Sequence, residues 1–154
     1  MRQPDFLAQS TTAIDLRVKA VPDPNVIISA LLAPAGSPAK VLRAWVEGAY
    51  ELVASPLLLA ELERALGYPK LRKRISAAEA LALIDLLRRQ AESMEDPAAP
   101  PTFRSPDPGD DYLIALAESA HAVLVSGDGH LLGMGPGASV STPGAFLALI
   151  ASGT

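Results

Sequence analysis

The chain contains no cysteine and only two histidines, His121 and His130. The first absence excludes disulfide bonds, thiolate metal sites and cysteine nucleophiles, and the second argues against a histidine-rich zinc site. Aromatic residues make up only 5% of the sequence, so base stacking should not dominate any binding of nucleic acid. No run reaches the roughly 18 apolar residues of a membrane span, and residues 1–17 lack the apolar stretch of a signal peptide. We therefore expect a cytoplasmic protein without a membrane partner.

What the chain does contain is a large apolar fraction. Hydrophobic residues make up 49% of its 154 residues and charged residues 19%, which suits one domain with one core. The net charge of −4 argues against broad coating of nucleic acid, but allows a site of clustered acids with bases at its edge. Residues 1–17 show no period and are interpreted as a flexible arm before a single domain, 18–154.

Short apolar strands alternate with helical segments, which predicts an α/β fold with a parallel sheet between helices. In such sheets, ligand sites lie at the carboxyl ends of the strands. The predicted strands are 19–21, 50–54, 93–95, 122–125 and 138–140, and the predicted helices are 25–32, 37–48, 55–66, 76–91, 107–120 and a last one from 142.

Serines mark three of the helix starts. Ser37 and Ser55 each precede a proline, a combination typical of an N-cap followed by proline at the first helical position. Ser76 and Glu79 have the spacing of a capping box. The helix after Ser76 is expected to bury an apolar stripe, whose members are Ala77, Leu81, Ile84, Leu87 and Ala91.

Four acids fall at strand ends, at helix starts or beside an apolar helix face. Acids so placed can meet in one cleft, where two like charges about 4 Å apart repel by roughly 4 kcal/mol at an effective dielectric near 20. Mg²⁺ or Mn²⁺ removes that repulsion and supplies a Lewis acid. The candidate metal-binding and catalytic residues are Asp23, Glu61, Asp111 and Asp128.

Three of these acids also have a purely structural interpretation. Asp23, between two prolines, can simply cap the next helix. Glu61 lies at the edge of an apolar stripe and can extend its carboxylate into water, although an acid that reaches a partly buried site fits equally well. Asp128 lies in a Gly-Asp-Gly sequence that is common in ordinary turns.

The acids at the start of the 107–120 helix divide into two groups. Asp107 as N-cap and Asp110 at the third helical position would complement the helix dipole. Asp111, at the fourth position, is left to point into a cleft. We therefore assign the metal role to Asp111 and a structural role to the other two, with a supporting contact to the metal ligands as the alternative for Asp110.

The order of these acids along the chain, together with the sequences around them, resembles the PIN-domain nuclease family. The resemblance covers nearly all of residues 20–150. Residues 21–32 (VPDPNVIISALL) are similar to the family's opening strand, Asp-Thr-Asn-Val and apolar helix. Ser55–Leu66 is similar to its Ser-x-x-Leu-Leu-x-Glu-Leu segment. Asp107–Ala117 is similar to its Asp-Pro-x-Asp-Asp helix, and Val123–Leu132 to its second Asp-containing strand and loop.

This resemblance implies a three-layer α/β/α sandwich around a parallel sheet, with carboxylates that hold Mg²⁺ or Mn²⁺ and RNA as the usual substrate. The chain departs from the family pattern at three positions. Pro22 replaces an apolar strand residue, Pro24 replaces the usual threonine, and His130 stands where many members carry an acid.

Specific roles follow for the site residues. We expect Asp23 and Asp111 to bind the metal directly and Asp128 to bind it directly or through water. Glu61 either binds the metal or positions and deprotonates the attacking water. Asn25 and Ser126 are candidates for hydrogen bonds to water or phosphate.

A dense basic patch, formed by Lys70, Arg72, Lys73 and Arg74, lies between two predicted helices. It is either a solvated turn, the commoner meaning of such a run, or a surface that contacts RNA phosphates. Reversing these charges distinguishes the two interpretations.

The favoured function is a metal-dependent endoribonuclease. Small single-domain members resemble VapC-type toxins of toxin–antitoxin pairs, which implies an antitoxin partner and a homodimer. The alternative within the fold is a catalytically weak PIN domain that binds RNA or protein, motivated by the two prolines. A receiver-like signalling domain also places acids around Mg²⁺, but the segment after Val123–Val125 lacks the lysine it requires.

Overall fold

The computed structural model describes residues 17–102, 108–127, 132 and 139–152. These residues form a five-stranded sheet in the order β3-β2-β1-β4-β5, and every neighbouring pair is parallel. The predicted parallel sheet is confirmed, with strand ends that differ by up to two residues. The strands are β1 (Lys19–Pro22), β2 (Glu51–Ala54), β3 (Glu92–Ser93), β4 (Val123–Val125) and β5 (Val140–Ser141).

Helices cover both faces of the sheet and complete the predicted α/β/α sandwich. Most of them pack apolar residues into one core, in which the rings of Tyr50 and Phe146 meet edge to face at 4.9 Å. The α-helices found in the described ranges are α1 (Pro24–Leu32), α2 (Ser37–Val46), α3 (Pro56–Leu66), α4 (Pro69–Arg72), α5 (Ala77–Gln90), α6 (Asp111–Ala120) and α7 (Pro143–Ser152).

The serine-based helix starts are largely confirmed. The Ser55 hydroxyl accepts a hydrogen bond from the backbone NH of Leu58, and Ser76 forms a complete capping box with Glu79. The prediction for α2 is one residue too late at its start, because Gly36 is the N-cap and Ser37 is already helical. Pro38 still lies in the first turn, where backbone NH groups need no partner within the helix.

The predicted stripe of α5 is partly wrong. Its buried residues are Ala80, Leu83, Ile84 and Leu87, whereas Leu81 is 67% exposed. Both sets have helical spacing, so the sequence period alone does not select the face that is buried. Packing against α3 selects it.

The segment before α6 also differs from the prediction. Pro108–Asp110 forms a turn of 3₁₀-helix, and the α-helix begins at Asp111 with Asp110 as its N-cap residue. A 3₁₀ turn is common at a helix N-terminus, and Gly109 makes an α-helical start there less favourable. The predicted N-cap, Asp107, lies outside the described residues.

The order of the strands creates a switch point beside β1. The chain extends from β1 to β2 and β3 on one side, and β4 and β5 lie on the other. In open α/β sheets the crevice at the carboxyl ends of strands that flank such a point is the usual ligand site. Here that crevice lies between the residues that follow β1 and those that follow β4.

Arg17, the last residue of the expected flexible arm, donates a 2.9 Å hydrogen bond to the Gly48 carbonyl and lies 3.7 Å from a Glu51 carboxylate oxygen. Residues 1–16 lie outside the described part.

Within the described ranges no single helix is long and apolar enough to span a membrane, although α1 and α2, bent by 101°, pass that test of length and composition as a pair.

Candidate functional site

Asp23 lies at the switch point and is only 5% exposed. Its backbone NH donates to the Val125 carbonyl at 2.9 Å, which continues the β1–β4 ladder beyond Pro22. Its Oδ1 accepts from the backbone NH of Asn25 at 2.9 Å, so it is the N-cap of α1. Pro24 takes the first helical position, where a proline costs no hydrogen bond. The capping interpretation of Asp23 is therefore correct, and both prolines fit the local backbone.

The second carboxylate oxygen of Asp23 faces β4. It accepts a 3.0 Å hydrogen bond from the hydroxyl of Ser126, which is fully buried. Removing a carboxylate from water costs free energy, which hydrogen bonds offset only in part. A capping role alone does not need this burial or this second bond.

Asp23 opens into a cleft of about 360 Å³. Its wall is polar where α1 contributes Asn25 and Ser29, and it includes the backbone of Gly127. Ser29 is exposed and lies one turn after Asn25, a position that sequence reasoning missed although its i, i+4 spacing on α1 was available.

Glu61 is half-buried on α3, at the edge of the face that buries Leu58 and Leu62. Its Oε1 accepts a 2.7 Å hydrogen bond from the hydroxyl of Tyr112 on α6. Burial raises the pKa of Tyr112, and so do the bond to Glu61 and the negative charges of Glu61, Asp23 and Asp96. Three carboxylates therefore lie close enough to the Tyr112 phenol for their charges to act on it.

Asp111 is the first residue of α6 and is half-buried, as is Asp110 before it. Helix α6 packs against β1, which brings its N-terminus to the Asp23 side of the sheet. Asp128 lies outside the described residues, and Gly127, which precedes it, lines the cleft.

Asp96, which follows β3, is an acid near this site that the sequence analysis did not single out. Its Oδ2 accepts a 3.0 Å hydrogen bond from the backbone NH of Leu57 in the first turn of α3. Its Oδ1 is buried and has no hydrogen-bond partner among the described residues. The available signal was its place shortly after β3, because the same strand-end rule singles out Asp23.

The donor chemistry of these residues suits a hard divalent cation. Carboxylates and hydroxyls are oxygen ligands of the kind that Mg²⁺ and Mn²⁺ prefer, and the buried Oδ1 of Asp96 has coordination capacity left. In the described ranges, however, no three acidic or histidine side chains are grouped closely enough to hold a metal ion. The residues offer the right type of ligand atom for such an ion. A complete set of protein ligands would need a further side chain from outside those ranges.

The basic patch lies at the far end of α3 from the cleft. Helix α3 begins directly after the carboxyl end of β2 and runs away from it for 11 residues, or about 16 Å at 1.5 Å per residue. The short helix α4 follows and carries Lys70 and Arg72. Arg72 donates from Nε to the Leu66 carbonyl at 3.0 Å and so caps the end of α3, whereas Lys73 and Arg74 are exposed.

Comparison with known proteins supplies the family. A family model described as the PIN domain matches residues 19–130, and no curated protein matches the chain. A crystal structure of PAE2754 from Pyrobaculum aerophilum is similar with a TM-score of 0.59 and 22% identity, over 88% of this chain and 90% of that one. A crystal structure of VapBC2 from Rickettsia felis, bound to a DNA fragment from their promoter, is similar with a TM-score of 0.56 and 13% identity, over 81% and 98%. At these identities the two structures establish the fold.

Proposed function

Because the chain belongs to the PIN-domain family, whose members are generally nucleases, we propose that it is a metal-dependent endoribonuclease that hydrolyses phosphodiester bonds in RNA. The observation that carries the proposal is the buried Asp23 carboxylate, which opens into the switch-point cleft and is fixed there by Ser126. A charged group is buried in this way at a cost, which a role in catalysis explains and a helix cap does not.

Asp23 and Asp111 are the proposed direct ligands of Mg²⁺ or Mn²⁺, with Asp128 and Glu61 as the remaining members of the set. A bound cation would neutralise phosphate charge and acidify a water molecule. The chain's own residues orient the reactants: Ser126 holds the Asp23 carboxylate, and Asn25 on the cleft wall can donate from its amide to a phosphate oxygen.

The basic patch is proposed as a second contact for RNA. A stacked strand places one phosphate about every 3.4 Å, so the roughly 16 Å length of α3 corresponds to about five phosphates. Lys70, Lys73 and Arg74 are exposed at that distance, which suits them to hold the RNA beyond the point of cleavage.

We propose a biological role as the toxin of a toxin–antitoxin pair, which the shared fold supports. The chain has one PIN domain, and the VapBC2 structure shares its fold. We accordingly propose an antitoxin partner, a homodimer and a cytoplasmic location. Expression of the wild type, but not of Asp23→Asn, should arrest the growth of a bacterial host, and equal growth of both strains would count against the toxin role.

The decisive experiment for the enzyme is cleavage of a labelled mixed RNA pool with Mn²⁺, Mg²⁺ or EDTA. Wild type, Asp23→Asn and Asp111→Asn are compared with Asp85→Asn, a matched control on the exposed side of α5 that pairs with Arg89 at 3.0 Å. We expect metal-dependent cuts by the wild type and the control only. Cuts that persist in EDTA or in the Asp23 variant would refute the proposed site.

A second candidate function is a PIN domain that binds RNA or protein with little catalysis. The observation in its favour is that the described residues contain no group of three acids or histidines placed to hold a metal ion. RNA that is retained by the wild type at all metal concentrations without being cut would establish this alternative.

A further inference from the structure

A tyrosine that the sequence did not single out joins helices α3 and α6. The hydroxyl of Tyr112 donates to Oε1 of Glu61 at 2.7 Å, and 51 residues separate the two in the chain. At this length, a hydroxyl bound to a carboxylate makes a charge-assisted hydrogen bond, which is stronger than a neutral one.

Glu61 needs an external partner to have a defined orientation. The buried residues Leu58 and Leu62 fix the backbone of α3, but the glutamate side chain has three rotatable bonds beyond it. In the described part of the chain, Tyr112 is its hydrogen-bond partner. Asp23, by contrast, has a short side chain with both oxygens bonded. Without the phenol, the Glu61 carboxylate has no comparable restraint.

The position of Tyr112 also relates Glu61 to a second acid. Tyr112 directly follows Asp111 in the first turn of α6, so any shift of that turn moves both residues. The first turn of α6 therefore contains the candidate ligand Asp111 and, through Tyr112, restrains the candidate ligand Glu61 on α3.

We infer that Tyr112 is a positioning residue, which holds Oε1 of Glu61 and leaves Oε2 oriented for metal binding or for activation of water. This inference rests on the proposed nuclease function and deepens it. The tyrosine acts through Glu61 and takes no part in the bond changes itself.

The test is a double-mutant cycle with Tyr112→Phe, Glu61→Ala and the combined variant. Two readouts are measured, the kcat and KM of RNA cleavage and the Kd for Mn²⁺ from the electron paramagnetic resonance of the free ion. Loss of a hydrogen bond to a charged group is expected to lower kcat about tenfold, with KM unchanged, and to weaken Mn²⁺ binding roughly three- to tenfold. In the Glu61→Ala background, Tyr112→Phe should have no further effect.

Tyr50→Phe is the matched control. The Tyr50 hydroxyl also makes a hydrogen bond, at 2.9 Å to the Val41 carbonyl, but it is buried just before β2, at the edge of the sheet opposite the cleft. This variant should lose stability while its kcat and Mn²⁺ affinity stay within about twofold of wild type. A change as large as that of Tyr112→Phe would mean that a general loosening of the fold explains both, and would overturn the inference.

Failure of the inference is distinguishable from failure of the proposed function. Equal losses from Tyr112→Phe with and without Glu61 would overturn the inference even in an active nuclease. If the wild type cuts no RNA, the proposed function fails, and the Mn²⁺ cycle still decides. If the wild type also binds no Mn²⁺, crystal structures of the wild type and of Tyr112→Phe decide. A displaced Glu61 carboxylate in the variant supports the inference, and an unmoved one overturns it.

Discussion

Ser126 donates its hydroxyl hydrogen to Oδ2 of Asp23 at 3.0 Å, and both side chains are buried although 103 residues separate them. Each residue follows one of two neighbouring strands, β4 and β1. The bond therefore ties together the two strand ends at the switch point, and it orients the acid on which the proposed chemistry depends.

Removal of this hydroxyl should weaken both the fold and the site. Ser126→Ala leaves a buried carboxylate oxygen without this donor, for which we expect a loss of about 1–3 kcal/mol in the free energy of unfolding and weaker Mn²⁺ binding. Urea denaturation and Mn²⁺ titration measure the two effects. Ser76→Ala, which removes a helix cap far from the cleft, should cost about 1 kcal/mol and leave Mn²⁺ affinity intact. The prediction fails if both variants bind Mn²⁺ alike.

Asp96 should respond differently to two substitutions. Asp96→Ala removes the acceptor for the Leu57 NH and should destabilise the metal-free protein by about 1 kcal/mol. Asp96→Asn keeps an acceptor and replaces a charged oxygen that is buried and lacks a partner in the described ranges, so it should be neutral or stabilising. Urea midpoints in EDTA measure both, and an Asn variant as unstable as the Ala variant would contradict this account.

The face that α5 buries can be tested with the same substitution at two nearby leucines. Leu83 is 9% exposed and Leu81 is 67% exposed. Leu83→Ala should therefore cost about 2–5 kcal/mol through lost burial and a cavity, and Leu81→Ala should change stability by no more than about 0.5 kcal/mol. Thermal or urea unfolding provides the comparison, and reversed costs would show that α5 is rotated.

The basic patch should affect RNA binding through salt. If Arg74 contacts a phosphate, Arg74→Glu should weaken binding at low salt and lower the slope of log K against log salt by about 0.7 for single-stranded RNA. Lys40→Glu, an equal charge reversal on an exposed position of α2, is the control. Filter binding across a series of salt concentrations measures both slopes, and identical slopes would leave the patch as a solvated turn.

The features predicted well are those with local causes. Ser55 and Ser76 cap their helices as expected because the capping bonds lie within three residues. The face of α5 was partly mispredicted because Leu81 and Leu83 are equally apolar, and only packing with α3 separates them.

In the candidate site, too, the sequence identified residues marked by local patterns and missed those defined by contacts between distant segments. Asp23 and Glu61 are polar residues at positions that local patterns mark, and the structure places both near Tyr112. The sequence could not identify Tyr112 itself, because a tyrosine in an apolar helix suggests core packing until its partner, 51 residues away, is known. Asp96 was missed since its contact with the start of α3 spans 39 residues.

The strand order has a consequence during synthesis. Strand β1 is made early, but its neighbour β4 and the serine that fixes Asp23 follow about a hundred residues later. At about 5–20 residues per second, a ribosome needs roughly 5–20 s to cover that distance. Throughout this interval the central strand has one edge unpaired, and Asp23 lacks the hydroxyl of Ser126. The incomplete chain therefore cannot assemble the cleft, and any activity housed there begins only after nearly the whole domain has been translated.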